Sequence, residues 1–294
     1  MKVLKSRGEK IFDAVNNIFM FLIIIVMIYP MINQIAISCS SNSAIISGKV
    51  SVWPIQPTLD AYREIVADKN FFRSMGNTVF FTITATVTQI VFTSIFAYPL
   101  SKKHLKGRSV IMSLLVFSMM FGTGGLIPTY LLIRNLHLLD SYAAIILPGA
   151  ISIWNTIVIK NFFQQVPESL EEAAIIDGAG ILRVFVSIVL PLSVPVLAAI
   201  TLFAAVWAWN VFFEGIVYIT SPSKKLLQMY LNDILQANIG SQTGPNTTNN
   251  DGQILNTESL KAAALICTIA PIIMVYPFVQ KYFMTGLMIG AVKG

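Results

Sequence analysis

Charged side chains are scarce in this sequence of 294 residues, since only 12 % are Asp, Glu, Lys or Arg. A typical soluble domain carries about 25 %. Apolar residues make up 55 % of the chain, and the mean hydropathy is +0.72. A single water-soluble core of this length could not bury so much apolar surface. The composition therefore excludes an ordinary soluble domain and indicates an integral membrane protein.

Cysteine and histidine are also rare, with two of each, too few for a disulfide framework or a zinc site. The chain lacks a G-x-x-x-x-G-K-[ST] phosphate-binding loop. The one Gly-Lys pair, Gly48-Lys49, has neither the upstream glycine nor a following Ser or Thr. No nucleophile with a base, and no set of metal ligands, has a usable spacing. We therefore expect no catalytic residue, no metal and no cofactor in this chain, so that a partner must supply any ATP chemistry.

Long apolar runs divide the chain into six segments, each long enough for the roughly 20 residues that a membrane-spanning helix needs. The segments cover residues 12–38, 74–101, 110–133, 142–163, 182–218 and 262–283. The fifth is too long for one straight span, and its two prolines, Pro191 and Pro195, predict a kink. Two long outer loops, at 39–73 and 219–260, complete the predicted topology. We expect one all-α polytopic membrane domain with six transmembrane helices.

The net charge of +6 would suggest a nucleic-acid partner in a soluble protein. Here Lys and Arg form tight clusters beside apolar runs, at residues 2–10 and 102–108. Cytoplasmic loops carry an excess of such cations, and with six spans both clusters fall on the same side. The pattern predicts that both termini are cytoplasmic. It also predicts that the cations contact anionic membrane lipid and no nucleic acid.

The predicted inner loop between spans four and five, residues 166–180, has the features of a short acidic helix. Pro167 suits a first helical turn, and Gly178 and Gly180 are expected to end the helix. Three carboxylates lie near the positive end of its dipole: Glu168, Glu171 and Glu172. By composition alone, a re-entrant connector with incidental charge is an equal alternative to a helix on which a partner docks.

The order of residues in this loop is more specific than its composition. Glu172-Ala173-Ala174 is followed after three residues by Gly178, and after nine more by Ile188-Val189-Leu190-Pro191. This order resembles the EAA loop of ABC-importer permeases, whose pattern is EAA-x3-G-x9-I-x-L-P. Every element of the pattern is present at the right spacing.

The resemblance extends over nearly the whole chain. Residues 124–130, 147–150 and 286–294 look like the second permease of maltose-type importers for binding-protein-dependent carbohydrate uptake, closest to the LplC-like branch. In that family the EAA helix is a cytoplasmic coupling helix between spans four and five, which fits a cleft of the ATPase. The resemblance assigns ATPase coupling to six residues: Glu171, Glu172, Ala173, Ala174, Asp177 and Gly178.

The same resemblance implies the partners and the location. We expect a second homologous permease subunit, two cytoplasmic ABC ATPase subunits that use ATP and Mg, and an extracytoplasmic solute-binding lipoprotein. The implied setting is the bacterial inner membrane. The implied mechanism is alternating access, in which closure of the ATPases moves the docked helix and opens the carbohydrate path outward.

Candidates for the substrate path lie in the fifth segment, where Phe203, Trp207, Asn210 and Glu214 recur at intervals of four, three and four. On a helix these residues share one narrow face, and aromatic, amide and carboxylate groups together suit a sugar. The alternative is an interfacial aromatic belt at the outer end of the span. Asn155 in the fourth segment is a further candidate, although buried amides more often join helices.

Other interpretations stay open at this point. Gly122-Thr123-Gly124-Gly125, with Pro128 after it, predicts either a broken third span or close helix packing. A non-sugar solute would use the same permease scaffold. An ion-coupled carrier or a channel predicts intramembrane charges or repeated halves, whereas these spans are nearly free of charge. A non-transport scaffold would not need the ATPase-docking pattern.

Overall fold

The computed structural model of the protein describes residues 7–121, 125–236 and 257–291, and throughout these ranges the regular elements are helices without a strand. The all-α class is thus confirmed. The α-helices are α1 (Arg7–Ser38), α2 (Asn42–Ile46), α3 (Asp60–Ala67), α4 (Lys69–Ser101), α5 (Arg108–Phe121), α6 (Leu126–Asn135), α7 (Ala143–Ile146), α8 (Ile153–Phe163), α9 (Glu168–Ile176), α10 (Ile181–Val184), α11 (Leu190–Leu192), α12 (Val194–Trp209), α13 (Phe213–Tyr218), α14 (Leu227–Gln236) and α15 (Thr257–Ala291). A π-helix covers Phe185–Val189, and a 3-10 helix covers Pro222–Lys224.

The chain divides into two compact units, with the divisions after Phe71, Tyr230 and Ala270. The first unit contains α1 to α3 and the beginning of α15. In this unit the end of α1 is held by hydrogen bonds: Ser38 Oγ lies 2.7 Å from Tyr62 Oη, and Asn33 Nδ2 donates to Ser51 O over 2.7 Å. The predicted outer loop 39–73 is therefore ordered around two short helices.

Three described helices are long and apolar enough to cross a membrane, at Gly8–Ser38, Lys69–Ser101 and Glu258–Val275. Two bent pairs, α5 with α6 and the helices of Ile181–Leu192 with α12, would bring the number to five. The protein is thus a helical, multi-pass chain in its described part. Six spans and two cytoplasmic termini stay predictions.

The predicted fourth span, 142–163, is not one continuous helix. It forms α7 and α8, separated by residues 147–152, where Pro148 cannot donate a backbone hydrogen bond. The exposed backbone groups of this break find partners on α4: Gln89 Nε2 donates to Gly149 O over 2.9 Å, and Ser152 N donates to Thr93 Oγ1 over 3.4 Å. Irregular backbone at membrane depth is tolerated only when protein or water satisfies it in this way.

The fifth segment is interrupted more often than its composition suggested. The π-helix leads into α11, and the chain then bends by 82° at Ser193, between Pro191 and Pro195, before α12 begins. The predicted kink is confirmed. A second interruption, at residues 210–212, separates α12 from α13.

The third segment is also broken, as one of the two interpretations of its glycines predicts. Helix α5 ends at Phe121 and α6 begins at Leu126, after Gly125 with a φ of +91°. Such a positive φ favours glycine. Residues 122–124 lie outside the described part of the chain, as do residues 237–256 of the predicted outer loop 219–260.

Candidate functional site

The predicted inner-loop helix is present as α9, directly after Pro167. Its C-terminus has the two hydrogen bonds of a Schellman motif. Gly178 N donates to Ile175 O over 3.0 Å, and Ala179 N donates to Ala174 O over 2.9 Å. Gly178 has a φ of +84°, which a residue with a side chain adopts at a cost. The glycine of the EAA pattern thus ends α9 and turns the chain toward α10.

Most of the residues assigned to ATPase coupling lie on an open face of α9. Four are exposed: Glu172, Ala173, Asp177 and Gly178. Ala174 is half-buried. Large apolar side chains in the same region are also exposed: Ile176 of α9 is 85 % exposed, and Leu182 of α10 is 78 % exposed. Exposed apolar surface with a polar rim is typical of a protein-binding site.

Glu171 differs from the other five residues because it is only 7 % exposed. Its carboxylate forms an ion pair with Lys102, just beyond the end of α4, and accepts a hydrogen bond from Tyr98 Oη over 3.1 Å. Lys102 Nζ also lies 4.7 Å from the centre of the Tyr98 ring, within range of a cation–π interaction. Sequence reasoning missed this contact, because the cation cluster that includes Lys102 was interpreted only as an orientation signal and a lipid contact. The assignment of Glu171 to the ATPase stays a prediction.

A cavity of about 470 Å³ lies in the second unit, among α4, α5, the break at 147–152 and α12. Its wall includes Phe203, Trp207 and Asn155, three of the five residues predicted for the substrate path. Gln89, Ser118 and Ser152 add polar groups to a mostly apolar lining. The fold thus brings residues from separate predicted spans to one concave surface, the common form of a small-molecule site.

The break at 147–152 fits closely against the aromatic wall. A Cβ at Gly149 would lie 3.0 Å from Cη2 of Trp207, tighter than nine in ten such contacts, so a larger residue there would require the indole to shift. Sequence reasoning missed Gln89, which holds this glycine in place. The available signal was an amide within an otherwise apolar span.

Asn210 and Glu214 are not on the lining of this cavity. Asn210 caps the end of α12, and its Nδ2 donates to Val206 O over 2.8 Å. Glu214 lies on α13, beyond the interruption. The expectation that four residues form one helical stripe is therefore wrong, because the helix ends at Trp209.

A partly exposed cluster of hydrogen bonds forms around Asp140. Its carboxylate accepts from Thr220 N over 3.0 Å, from Ser221 N over 2.8 Å and from Ser221 Oγ over 2.6 Å, and it pairs with Lys224 over 2.9 Å. The Ser221 hydroxyl and Lys224 are the main causes that hold the pKa of Asp140 well below its usual range. Two connecting loops are thus fastened together.

The Asp140 cluster and Glu171 lie at opposite ends of α4. Asn77, near the beginning of α4, donates to Ser223 O over 2.9 Å and to Lys225 O over 3.0 Å. Lys102 follows the other end of the helix. At a rise of 1.5 Å per residue the two positions are roughly 37 Å apart, more than the hydrocarbon core of about 30 Å.

Comparison with known proteins identifies one family of transport proteins. The family model of the binding-protein-dependent transport system inner membrane component matches residues 89–288. Protein LplC of Bacillus subtilis (strain 168) is 42 % identical over 289 residues, covering 98 % of this chain and 97 % of that protein. The polygalacturonan/rhamnogalacturonan transport system permease protein YtcP of the same organism is 39 % identical over 286 residues, covering 97 % of this chain and 99 % of that protein.

Solved structures agree. One chain of a bacterial ABC transporter involved in the import of the acidic polysaccharide alginate matches with a TM-score of 0.88 at 34 % identity, over 96 % of this chain and 100 % of that chain. A bacterial alginate ABC transporter in complex with an alginate pentasaccharide-bound periplasmic protein matches with a TM-score of 0.62 at 16 % identity, covering 93 % of each chain. At that identity the second match supports the fold alone.

Proposed function

This chain belongs to the binding-protein-dependent transport system inner membrane component family, and from that membership we propose that it is a permease subunit of an ATP-driven importer for carbohydrate, with an oligosaccharide as cargo. The observation that carries the proposal is α9, the exposed helix formed by the EAA pattern. The alginate, polygalacturonan and rhamnogalacturonan named for its relatives support a saccharide cargo.

In this proposal α9 is the coupling helix on the cytoplasmic side. Its exposed face, with Glu172 among small and apolar residues, fits a cleft of an ATPase. The length of α4 supports this placement, since Glu171 and the Asp140 cluster are separated by more than a hydrocarbon core. The Asp140 loops then lie on the outer side, and both termini are cytoplasmic.

The partners follow from the same function. The chain pairs with a second homologous permease, two cytoplasmic ABC ATPases and an extracytoplasmic solute-binding lipoprotein in the bacterial inner membrane. The ATPases bind ATP and Mg and hydrolyse the nucleotide. This subunit breaks no covalent bond, and it converts closure of the ATPases into alternating access.

The cavity beside Trp207 is the candidate wall of the carbohydrate path. Exposed aromatic faces of Phe203 and Trp207 can pack against the C–H groups of a sugar ring, while Asn155 and Gln89 lie on the same lining. Asn210 and Glu214 have weaker support as path residues, because neither lines the cavity. A non-sugar solute is the alternative cargo, and an ion-coupled carrier is less favoured because the family is named for its binding protein.

The coupling role is tested by Glu172→Lys in the assembled complex. We expect loss of binding-protein-stimulated ATP hydrolysis and of uptake, because the new cation opposes docking, while membrane insertion and yield stay normal. Glu168→Lys is the matched control, since it makes the same charge change on an exposed residue in the first turn of α9. Stimulated hydrolysis at the wild-type level in Glu172→Lys would overturn the proposed docking surface.

The cargo and path are tested by uptake of labelled oligosaccharides into vesicles that contain the complex. We expect Trp207→Ala to lower uptake by up to about tenfold with ATPase assembly intact, because the loss of one aromatic packing surface removes about 0.5–1.5 kcal/mol. Trp154→Ala is the control, because Trp154 is exposed and lies outside the cavity lining. Uptake of a non-sugar solute in place of every oligosaccharide would reject the carbohydrate assignment.

A further inference from the structure

Glu171 is the one buried acidic residue of α9. Glu168 and Glu172 are exposed, whereas the Glu171 side chain is only 10 % exposed and reaches the end of α4. A carboxylate in such a position needs a compensating charge and hydrogen-bond donors. Lys102 and Tyr98 provide both.

The pair between Glu171 and Lys102 makes the two helices depend on each other. If α9 moved away from α4 alone, Glu171 would lose its cation and Tyr98 its acceptor, which is unfavourable for partly buried groups. A second ion pair joins the same two segments, Lys103 with Glu168 at 4.0 Å, but both side chains are largely exposed. Exposed pairs of this kind contribute little.

Helix α4 also reaches the cavity. About 20 Å from Lys102 along the helix, Gln89 donates to Gly149 O, and Gly149 packs against Trp207. Thr93, one turn closer, accepts from Ser152 N. One continuous helix therefore contacts both the coupling helix and the wall of the cavity.

We propose that Glu171 is a positioning residue that fastens α9 to α4 through Lys102, so that α4 transmits the displacement of the coupling helix to the cavity wall at Gly149. The direction of this transmission, from α9 to the cavity wall, rests on the proposed function. It separates the two adjacent glutamates: Glu172 faces the ATPase, and Glu171 faces the membrane domain. The lysine beyond α4 is then part of the coupling apparatus as well as an orientation signal.

The test uses Glu171→Gln, which keeps the size of the side chain and removes its charge. The reciprocal double variant, Glu171→Lys with Lys102→Glu, restores an ion pair with reversed polarity. Glu168→Gln is the matched control, because it removes the exposed pair with Lys103. The reconstituted complex is assayed for oligosaccharide taken up per ATP hydrolysed, a ratio that loss of protein does not change.

We expect Glu171→Gln to lower this ratio about tenfold, within the usual range of coupling between sites. The reciprocal variant should recover to within about threefold of wild type, and Glu168→Gln should stay within about twofold. A wild-type ratio in Glu171→Gln would overturn the proposal. So would a low ratio in the reciprocal variant when its complex assembles normally.

A second measurement does not depend on the cargo. Hydrogen exchange of the backbone amides of α9, in the purified chain, should be faster in Glu171→Gln and slow again in the reciprocal variant. Unchanged exchange in Glu171→Gln would overturn the attachment of α9 to α4. If the wild-type complex carries no oligosaccharide but exchange follows this pattern, the proposed cargo fails and the attachment stands.

Discussion

Two carboxylates at opposite ends of α4 pair with lysine, but they are held in different ways. Glu171 receives only side-chain donors, from Lys102 and Tyr98. Asp140 receives two backbone amides and a hydroxyl in addition to Lys224. Backbone donors are fixed by the path of the loop, whereas side-chain donors keep rotational freedom. The Asp140 cluster therefore fastens a loop, while the Glu171 contact depends on one cation.

The difference suits the proposed task of each end. A coupling helix must stay attached to the span that it moves, and it must also adjust as the ATPases close. The Asp140 loops lie on the proposed outer side, where the expected partner is the solute-binding lipoprotein, and a preorganised loop lowers the cost of association. Redundant donors provide that fixed form, because the loss of any one leaves the others in place.

The largest expected difference between the two ends of α4 is in the free energy of unfolding when each lysine is removed in turn. Lys102→Met leaves Glu171 without its cation, and breaking a fully buried pair costs about 3–5 kcal/mol. The Lys102 side chain is 32 % exposed, so we expect a loss of about 2 kcal/mol in the free energy of unfolding. Lys224→Met should cost distinctly less, because Asp140 keeps its other donors. Thermal unfolding of both variants in detergent measures the difference.

The two lysine variants are matched controls for each other, since each replaces an ammonium by a thioether of similar length. Equal losses of stability would show that the additional donors to Asp140 do not compensate for the loss of its lysine. A larger loss in Lys224→Met would reverse the comparison.

A smaller effect is expected from acidification. The pKa of Asp140 is lowered in the folded protein, so the stability that it contributes is fully present above the ordinary value near pH 4. That contribution is lost as the pH falls through the folded pKa. We expect no change from this cluster between about pH 8 and pH 5, and a fall in the thermal midpoint below about pH 4.

Asp140→Asn provides the control for this pH dependence, because the amide cannot titrate. The variant should lose the difference between neutral and acid midpoints that Asp140 causes in the wild type. An identical acid-induced fall in both proteins would assign it to other groups.

Helix α9 is the part of the site that was predictable in most detail. Its beginning after Pro167 and its end before Gly178 depend on residues within a few positions of each helix end, because capping is a local property. The exposure of Glu172 agrees with the prediction of a docking surface, while the role of that surface stays a proposal. The membrane character of the chain was equally predictable, because it follows from composition alone.

The interruptions of the fourth and fifth segments were harder to predict. Apolar runs show where a chain can lie in lipid, but not whether it stays helical there. The break at 147–152 is stable because Gln89 and Thr93, about sixty residues earlier, satisfy its backbone. Likewise, the prediction that Phe203 to Glu214 share one helical face failed because α12 ends at Trp209. No proline or glycine marks that helix end in the sequence.

Composition and short-range order along the chain were enough to predict the membrane class, the family and the helix α9, because these do not depend on contacts between distant residues. The packing of the helices selects which of two neighbouring glutamates turns inward, and which polar residue of α4 holds the break beside Trp207. Such choices depend on partners far apart in the chain, whose proximity arises when helices pack. Burial then makes each unpaired polar group unfavourable, and this selects the contacts that are formed.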